Sequence, residues 1–140
     1  MYDRTITLFN YRKADGCWYT HTFTGVDAIE TQGKSATTHG MQSADNLEVI
    51  IHCTSTQQAG GLQYVPPKVW QSMEDVEGCF TLTPECDFIA IGDCSEVDPI
   101  NDEEYDQGLY HALNEERDDV FMITCATWFS LLPHFEIGGR

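Results

Sequence analysis

The densest concentration of groups able to do chemistry lies between Asp93 and Asp119, where 11 acidic residues face Arg117 as the one Lys or Arg, a net charge of −10. Carboxylates grouped in this way can hold a divalent metal, pair for acid–base catalysis, or form an electrostatic surface. A calcium loop of the EF-hand kind beginning at Asp98 would need an oxygen ligand at its third position and glycine at its sixth, where this chain has Ile100 and Glu103. Exposed carboxylates are ionised near neutral pH and have no proton to donate. The five histidines, His21, His39, His52, His111 and His134, form no H-E-x-x-H and no i, i+4 pair, and the six cysteines form no C-x-x-C. There is no G-x-S-x-G, no P-loop and no dinucleotide fingerprint. The expectation is a protein that is not an enzyme and takes no metal and no cofactor. Asp102, Glu103, Glu104, Asp106, Glu115, Glu116, Asp118 and Asp119 are then an acidic surface.

A chain of 140 residues has room for one domain, 1–140, with a real core. With 23 acidic against 7 basic residues the net charge is −16, which argues against holding nucleic acid through the chain's own positive surface. A hydrophobic fraction of 41% with 11% aromatics sets it apart from disordered acidic tails, which lack apolar surface to bury. No stretch approaches the roughly 20 apolar residues that cross a bilayer, and the amino end lacks the basic-then-apolar layout of a secretory signal. The expectation is a cytosolic chain with free thiols and no membrane partner.

Residues 5–11 and 18–24 are dense in β-branched and aromatic types and are joined by Asp15-Gly16, which predicts a hairpin. Residues 31–46 show no sustained period and read as a long exposed loop; structureless loops of that length are usually functional. Leu47, Val49, Ile51 and Cys53 alternate as one face of a strand. Pro66 and Pro67 exclude a central strand and place Pro67 in the first turn of a short helix ending near Met73. Residues 79–83 and 88–92 read as a second hairpin. Asp98-Pro99 reads as the start of an acidic helix, 98–117, of about four turns, with Tyr105, Leu109, Ala112 and Leu113 as its single apolar stripe. Residues 120–129 are a long β-rich run. The fold expected is mainly β: a small antiparallel β-barrel or sandwich with one principal acidic helix and a long early loop. The aromatics read as core and not as a stacking platform for bases. The apolar surplus near Trp70 and from Trp128 onward leaves surface for a neighbouring subunit, with Trp70, Trp128, His134 and Phe135 as candidate interface residues.

Taken together, the opening Tyr2-Asp3-Arg4-Thr5-Ile6-Thr7-Leu8-Phe9-Asn10-Tyr11, then Gly25-Val26-Asp27, Ser43-Ala44-Asp45, Tyr64-Val65-Pro66-Pro67-Lys68-Val69-Trp70, Phe80-Thr81-Leu82, and the ending Leu131-Leu132-Pro133-His134-Phe135-Glu136-Ile137-Gly138-Gly139 resemble a family of small proteins from the head-to-tail connector, or neck, of tailed phages and prophages. The likeness spans nearly the whole chain and is closest to the head-closure, or stopper, proteins. It implies a structural virion protein of the neck, assembled in the host cytoplasm as a homo-oligomeric ring, hexamer or dodecamer. Such a ring joins portal and adaptor to the tail terminator, while a loop reaches into the channel to retain packaged DNA.

The loop is mapped by position onto 31–46, with Gly33, Lys34, Ser35, His39 and Gly40 as channel-loop candidates. Six copies would carry about 96 negative charges, and a channel wall that repels phosphates lets a duplex slide without sequence-specific binding. An outward-facing acidic helix would instead complement a basic adaptor or tail-terminator ring. The alternatives are another neck ring, adaptor or tail terminator, or an acidic DNA mimic that inhibits a host DNA-binding enzyme. A metal-dependent hydrolase using the 93–119 carboxylates ranks last.

Overall fold

A computed structural model describes residues 3–31, 34–37, 40–43, 46–94 and 99–140. The expected first hairpin is present: β1 (Asp3–Arg12) pairs antiparallel with β2 (Cys17–Thr31), from Arg12 opposite Cys17 back to Asp3 opposite Asp27. Between the pairs Ile6–Phe23 and Arg4–Val26, β2 holds one residue more than β1, and Gly25 sits in that bulge at φ +66°. Only glycine adopts this left-handed conformation without a steric cost, and a bulge of this kind bends its strand. Two short strands follow, β3 (Lys34–Thr37) and β4 (Gly40–Ser43), and then β5 (Asn46–His52). Just beyond the bulge, at Asp27, β2 also begins to pair with β5, from Asp27 opposite Ile50 to Thr31 opposite Asn46.

Next come β6 (Gln58–Ala59), β7 (Leu62–Tyr64), helix α1 (Pro67–Ser72) and β8 (Cys79–Phe80), in which β7 pairs antiparallel with β6 and parallel with β8. Strand β9 (Phe88–Ile91) lies between β1 and β11 (Val120–Phe129). The short β10 (Ile100–Asn101) adds to β2 at Trp18, a 3₁₀ turn spans Asp102–Glu104, and helix α2 covers Leu109–Glu116. Strand β12 (His134–Gly139) pairs with β11 on one side and β5 on the other. The order β1-β9-β11-β12-β5-β2 returns to β1, so six antiparallel strands close into a barrel.

A barrel this small has no pore; its interior is side chains. Ile6, Leu8, Phe23, Val49, Ile51, Ile89, Ile123 and Ile137 fill it, and the β6–β7–β8 sheet contributes Ala59 and Phe80, the latter edge-on to Phe23 at 5.2 Å. A second cluster lies outside the barrel. Phe9 and Phe88 stack at 4.4 Å on the outer face of β1 and β9 and are covered, with Trp18 and Val120, by Ile100 and by Leu109 of α2. All four residues of β9 are therefore buried, whereas β5 alternates buried with exposed or half-buried positions. One wall is packed on both faces; the wall made of β11, β12, β5 and the end of β2 is bare outside.

Three expectations need correction. Residues 34–37 and 40–43 of the supposed loop are the paired strands β3 and β4; a two-stranded arm pairs through its backbone and needs no apolar alternation to be seen in the sequence. Residues 79–83 and 88–92 do not form a hairpin: β8 joins β7, while β9 enters the barrel. The four-turn acidic helix is a 3₁₀ turn and a helix of 8 residues, broken at Gln107 and Gly108, both at positive φ. Asp98 falls outside the described residues, and Pro99 is not helical. The helix 67–73 and the strand 120–129 stand as expected, and all six cysteines are free.

The chain between β8 and β9 is pinned to β1 by a buried carboxylate. Asp87 accepts hydrogen bonds from the Tyr11 amide at 3.0 Å, the Thr83 amide at 3.0 Å and the Asn10 side chain at 2.9 Å, while Asn10 also donates to the Thr81 carbonyl and accepts from its amide. Burial nevertheless pushes the Asp87 carboxyl up from 3.8 to about 6, against the pull of these donors. A folded-state pKa above the unfolded value means that the folded protein binds the extra proton. The contribution to stability is then complete below about pH 4 and lost as pH rises through about 6. Compared with Asp87→Asn, the wild type should lose about 2 kcal/mol of unfolding free energy between pH 4 and pH 7, measured by urea titration at each pH. A difference between the two proteins that stays flat with pH would refute this.

Candidate functional site

Two features stand outside the closed strand order: the β3–β4 arm, a separate two-stranded sheet, and the acidic segment around α2. The arm begins where the β2–β5 pairing stops, at Thr31 opposite Asn46. Its own register runs from Lys34 opposite Ser43 to Thr37 opposite Gly40. Among the channel-loop candidates, Lys34 and Ser35 lie in β3 and Gly40 begins β4, while Gly33 and His39 lie outside the described residues. In a chain of net charge −16, residues 31–46 carry Lys34 and Asp45 and no other Lys, Arg, Asp or Glu. The arm is thus electrically neutral and approaches a polyanion without the repulsion that the rest of the chain exerts.

The acidic segment divides into two kinds of carboxylate. Asp102 is half-buried and accepts from the Trp18 indole at 2.7 Å and from the Leu109 amide at 2.8 Å, so it ties β2 to the first turn of α2 and places a negative charge at the helix amino end. Gly108 is required beside it, at φ +92°, because a Cβ there would stand 3.1 Å from the Asp102 carboxylate. Asp119 is also engaged: it accepts from both sides of the Arg117 guanidinium, at 2.8 and 3.0 Å, and that pairing holds its carboxyl below the usual range. Glu103, Glu104, Asp106, Glu115, Glu116 and Asp118 are exposed, and Glu115 lies 3.1 Å from His111. Six of the eight expected surface carboxylates therefore face solvent, and two hold the segment to the barrel. Among the described residues, no group of three His, Cys, Asp or Glu side chains could hold a metal ion.

Two interface candidates are corrected by burial. Trp70 is 0% exposed, donating from its indole to the Tyr11 carbonyl at 2.9 Å and packing edge-on against Tyr19 and His21. Phe135 is 3% exposed, inside the barrel against Tyr64 and Trp128. Their size made them conspicuous in the sequence, but large aromatics at strand or helix spacing fill cores first. Trp128 is half-buried over Phe135. His134 is half-buried as well, stacked on Phe129 at 5.0 Å and bonded to Glu136 at 2.9 Å, which raises its pKa. The apolar side chains that do reach the surface are smaller and less obvious: Ile29, Phe129, Leu131 and Leu132 on or beside the bare wall, and Val69 on α1. The strand parity of Ile29 and Phe129 was readable, but which face the barrel would leave uncovered was not.

The chain matches the model of a family of unknown function (DUF6751) over residues 1–140. It belongs to that family. No curated protein and no solved structure matches it.

The Asp102 contacts make a direct prediction. Asp102→Ala removes a charged acceptor from two donors and leaves the Trp18 indole without its partner, which should cost about 2 kcal/mol and lower Tm by about 5–8 °C in thermal unfolding. Glu104→Ala, on an exposed neighbour, should change Tm by less than about 2 °C.

Proposed function

We propose that this protein is a ring-forming head-closure, or stopper, component of the neck of a tailed phage or prophage, joining portal and adaptor to the tail and retaining packaged DNA. The observation that carries the reading is the contrast between a closed acidic barrel and the neutral two-stranded arm that continues from its β2–β5 pair. The interior of each barrel is packed with side chains, so a duplex can pass only between copies arranged around an axis. Exposed carboxylates facing such a passage repel phosphates and let DNA slide; a neutral arm can cross the passage and obstruct it mechanically. The same features support the reading over an acidic DNA mimic. A mimic needs carboxylates spread along an elongated surface at phosphate-like spacing, whereas here two of the clustered acids hold the segment to the barrel and the rest sit on one flank.

The arm provides the test. Because Thr31 and Asn46 are already opposite each other, residues 32–45 can be replaced by a two-residue Asn-Gly turn that suits the hairpin. The shortened subunit should keep its Tm within about 3 °C, since the barrel strands and their register are untouched. Phage particles assembled with it should contain the neck ring and lose their DNA to nuclease. Particles that keep their DNA would remove the plug assignment, and purified virions lacking the protein altogether would remove the neck assignment.

A further inference from the structure

Polar ties hold α2 against the barrel at its two ends. At the amino end Asp102 accepts from the Trp18 indole and from the Leu109 amide. At the carboxyl end Arg117, the residue after the helix, donates to the Ile91 carbonyl at 3.0 Å as well as to Asp119. Between the ties Leu109 is buried, while Ala112 and Leu113 are only half-buried. The apolar stripe of this segment, Tyr105, Leu109, Ala112 and Leu113, leaves space against the barrel; with Phe9 and Ile100 it lines a cavity of about 530 Å³.

The lining decides what can enter. Cys94 adds a thiol, a small hydrophobe in packing terms, set toward the Ile91 carbonyl at 3.8 Å. The charged residues in the lining are Glu116 and Arg117. Glu116 is exposed and keeps its carboxylate in water, and Arg117 is bound by Asp119 on both sides of its guanidinium. The same segment exposes Glu103, Glu104, Asp106 and Glu115, so a ligand anion would meet repulsion and find no unpaired cation in the lining. A ligand cation would find no buried carboxylate there.

Small-molecule sites in proteins are typically clefts of about 300–1,000 Å³ walled by aliphatic and aromatic side chains. Apolar side chains that border open space lack packing partners on that side, and an apolar molecule supplies them. We propose that the space between α2 and the outer face of β1 binds a neutral apolar small molecule, one with an aromatic ring or a short aliphatic chain to lay against Phe9, Ile100 and Leu113. The site is complete within one copy of the chain and stands independently of the ring reading. A ligand held there binds the folded chain and not the unfolded one, so it raises stability by mass action and fixes the flank on which six exposed carboxylates sit.

The probe is N-phenyl-1-naphthylamine, an uncharged dye that brightens in apolar surroundings. With the full chain it should bind saturably and raise Tm by about 2 °C or more, and its sulfonated, anionic analogue should bind roughly tenfold or more weakly. Ala112→Phe puts a ring into the open space; it should keep or raise Tm and weaken dye binding about tenfold or more. Leu132→Ser, on the exposed turn between β11 and β12, controls for dye adsorbed to surface leucines and should leave the affinity within about twofold. Dye that binds Ala112→Phe as well as the wild type, or that is lost from Leu132→Ser, would overturn the site. An Ala112→Phe chain that unfolds or loses about 5 °C in Tm would overturn it too, because a ring destabilises only where the space is already filled. Equal affinity for the anionic analogue would overturn the neutral ligand class.

Discussion

Closure of the barrel is the constraint from which the rest of the architecture follows, and closure depends on one strand serving two partners. β2 pairs with β1 from Cys17 to Asp27 and with β5 from Asp27 to Thr31, and the Gly25 bulge lies just before Asp27, the residue paired with both. Without the β2–β5 pairing β5 would be left as an open edge, with unpaired amides and carbonyls free to recruit other chains. Because β2 serves both, every barrel strand has two neighbours, and among the described residues the strands outside the barrel are short ones: the arm, β10 and the β6–β7–β8 sheet.

That closure produces two unlike outer walls. On one side α2, β10 and the aromatic cluster of Phe9, Trp18 and Phe88 cover β1 and β9, and the Asp102 carboxylate fastens the cover by bonding Trp18 and Leu109 together. On the other side, among the described residues, apolar side chains of β2 and β11 remain at the surface between carboxylates of β2, β5 and β12. Six exposed acids sit on the α2 segment, further exposed acids such as Glu48, Glu77, Glu85 and Glu136 lie elsewhere on the surface, and residues 31–46 are neutral in sum. A body with unlike faces and a separate two-stranded arm suits repetition around an axis better than action alone, which is why a ring-forming neck component is the reading proposed for this family member.

Buried polar groups serve placement in this fold. The Asn10–Asp87 network fixes the crossing from β8 to β9 by satisfying amides that would otherwise be buried without partners, although holding an ionised carboxylate there opposes stability at neutral pH. Burial raises the Asp87 carboxyl, and burial together with the adjacent Asp87, to which its thiol is hydrogen-bonded, pushes Cys86 up to about 11.

Composition, alternation and turn chemistry were sufficient to determine a mainly β single domain, the first hairpin, the helix begun by Pro67, the strand 120–129, and a charge that excludes holding nucleic acid on a basic surface. These depend on neighbours within a few residues, where local preference and pattern act directly. The arm, the short α2 and the pairing of β9 were decided only by tertiary structure. β3 and β4 pair through backbone groups and carry no apolar period; α2 starts where Asp102 reaches back to Leu109 across a glycine; β9 reads as half of a hairpin until β1 and β11 take its two edges. Exposure was decided there as well. Trp70 and Phe135 look like interface residues and are core, whereas Ile29 and Phe129 look like strand residues and are surface, because which side of a strand is covered depends on segments distant in the chain.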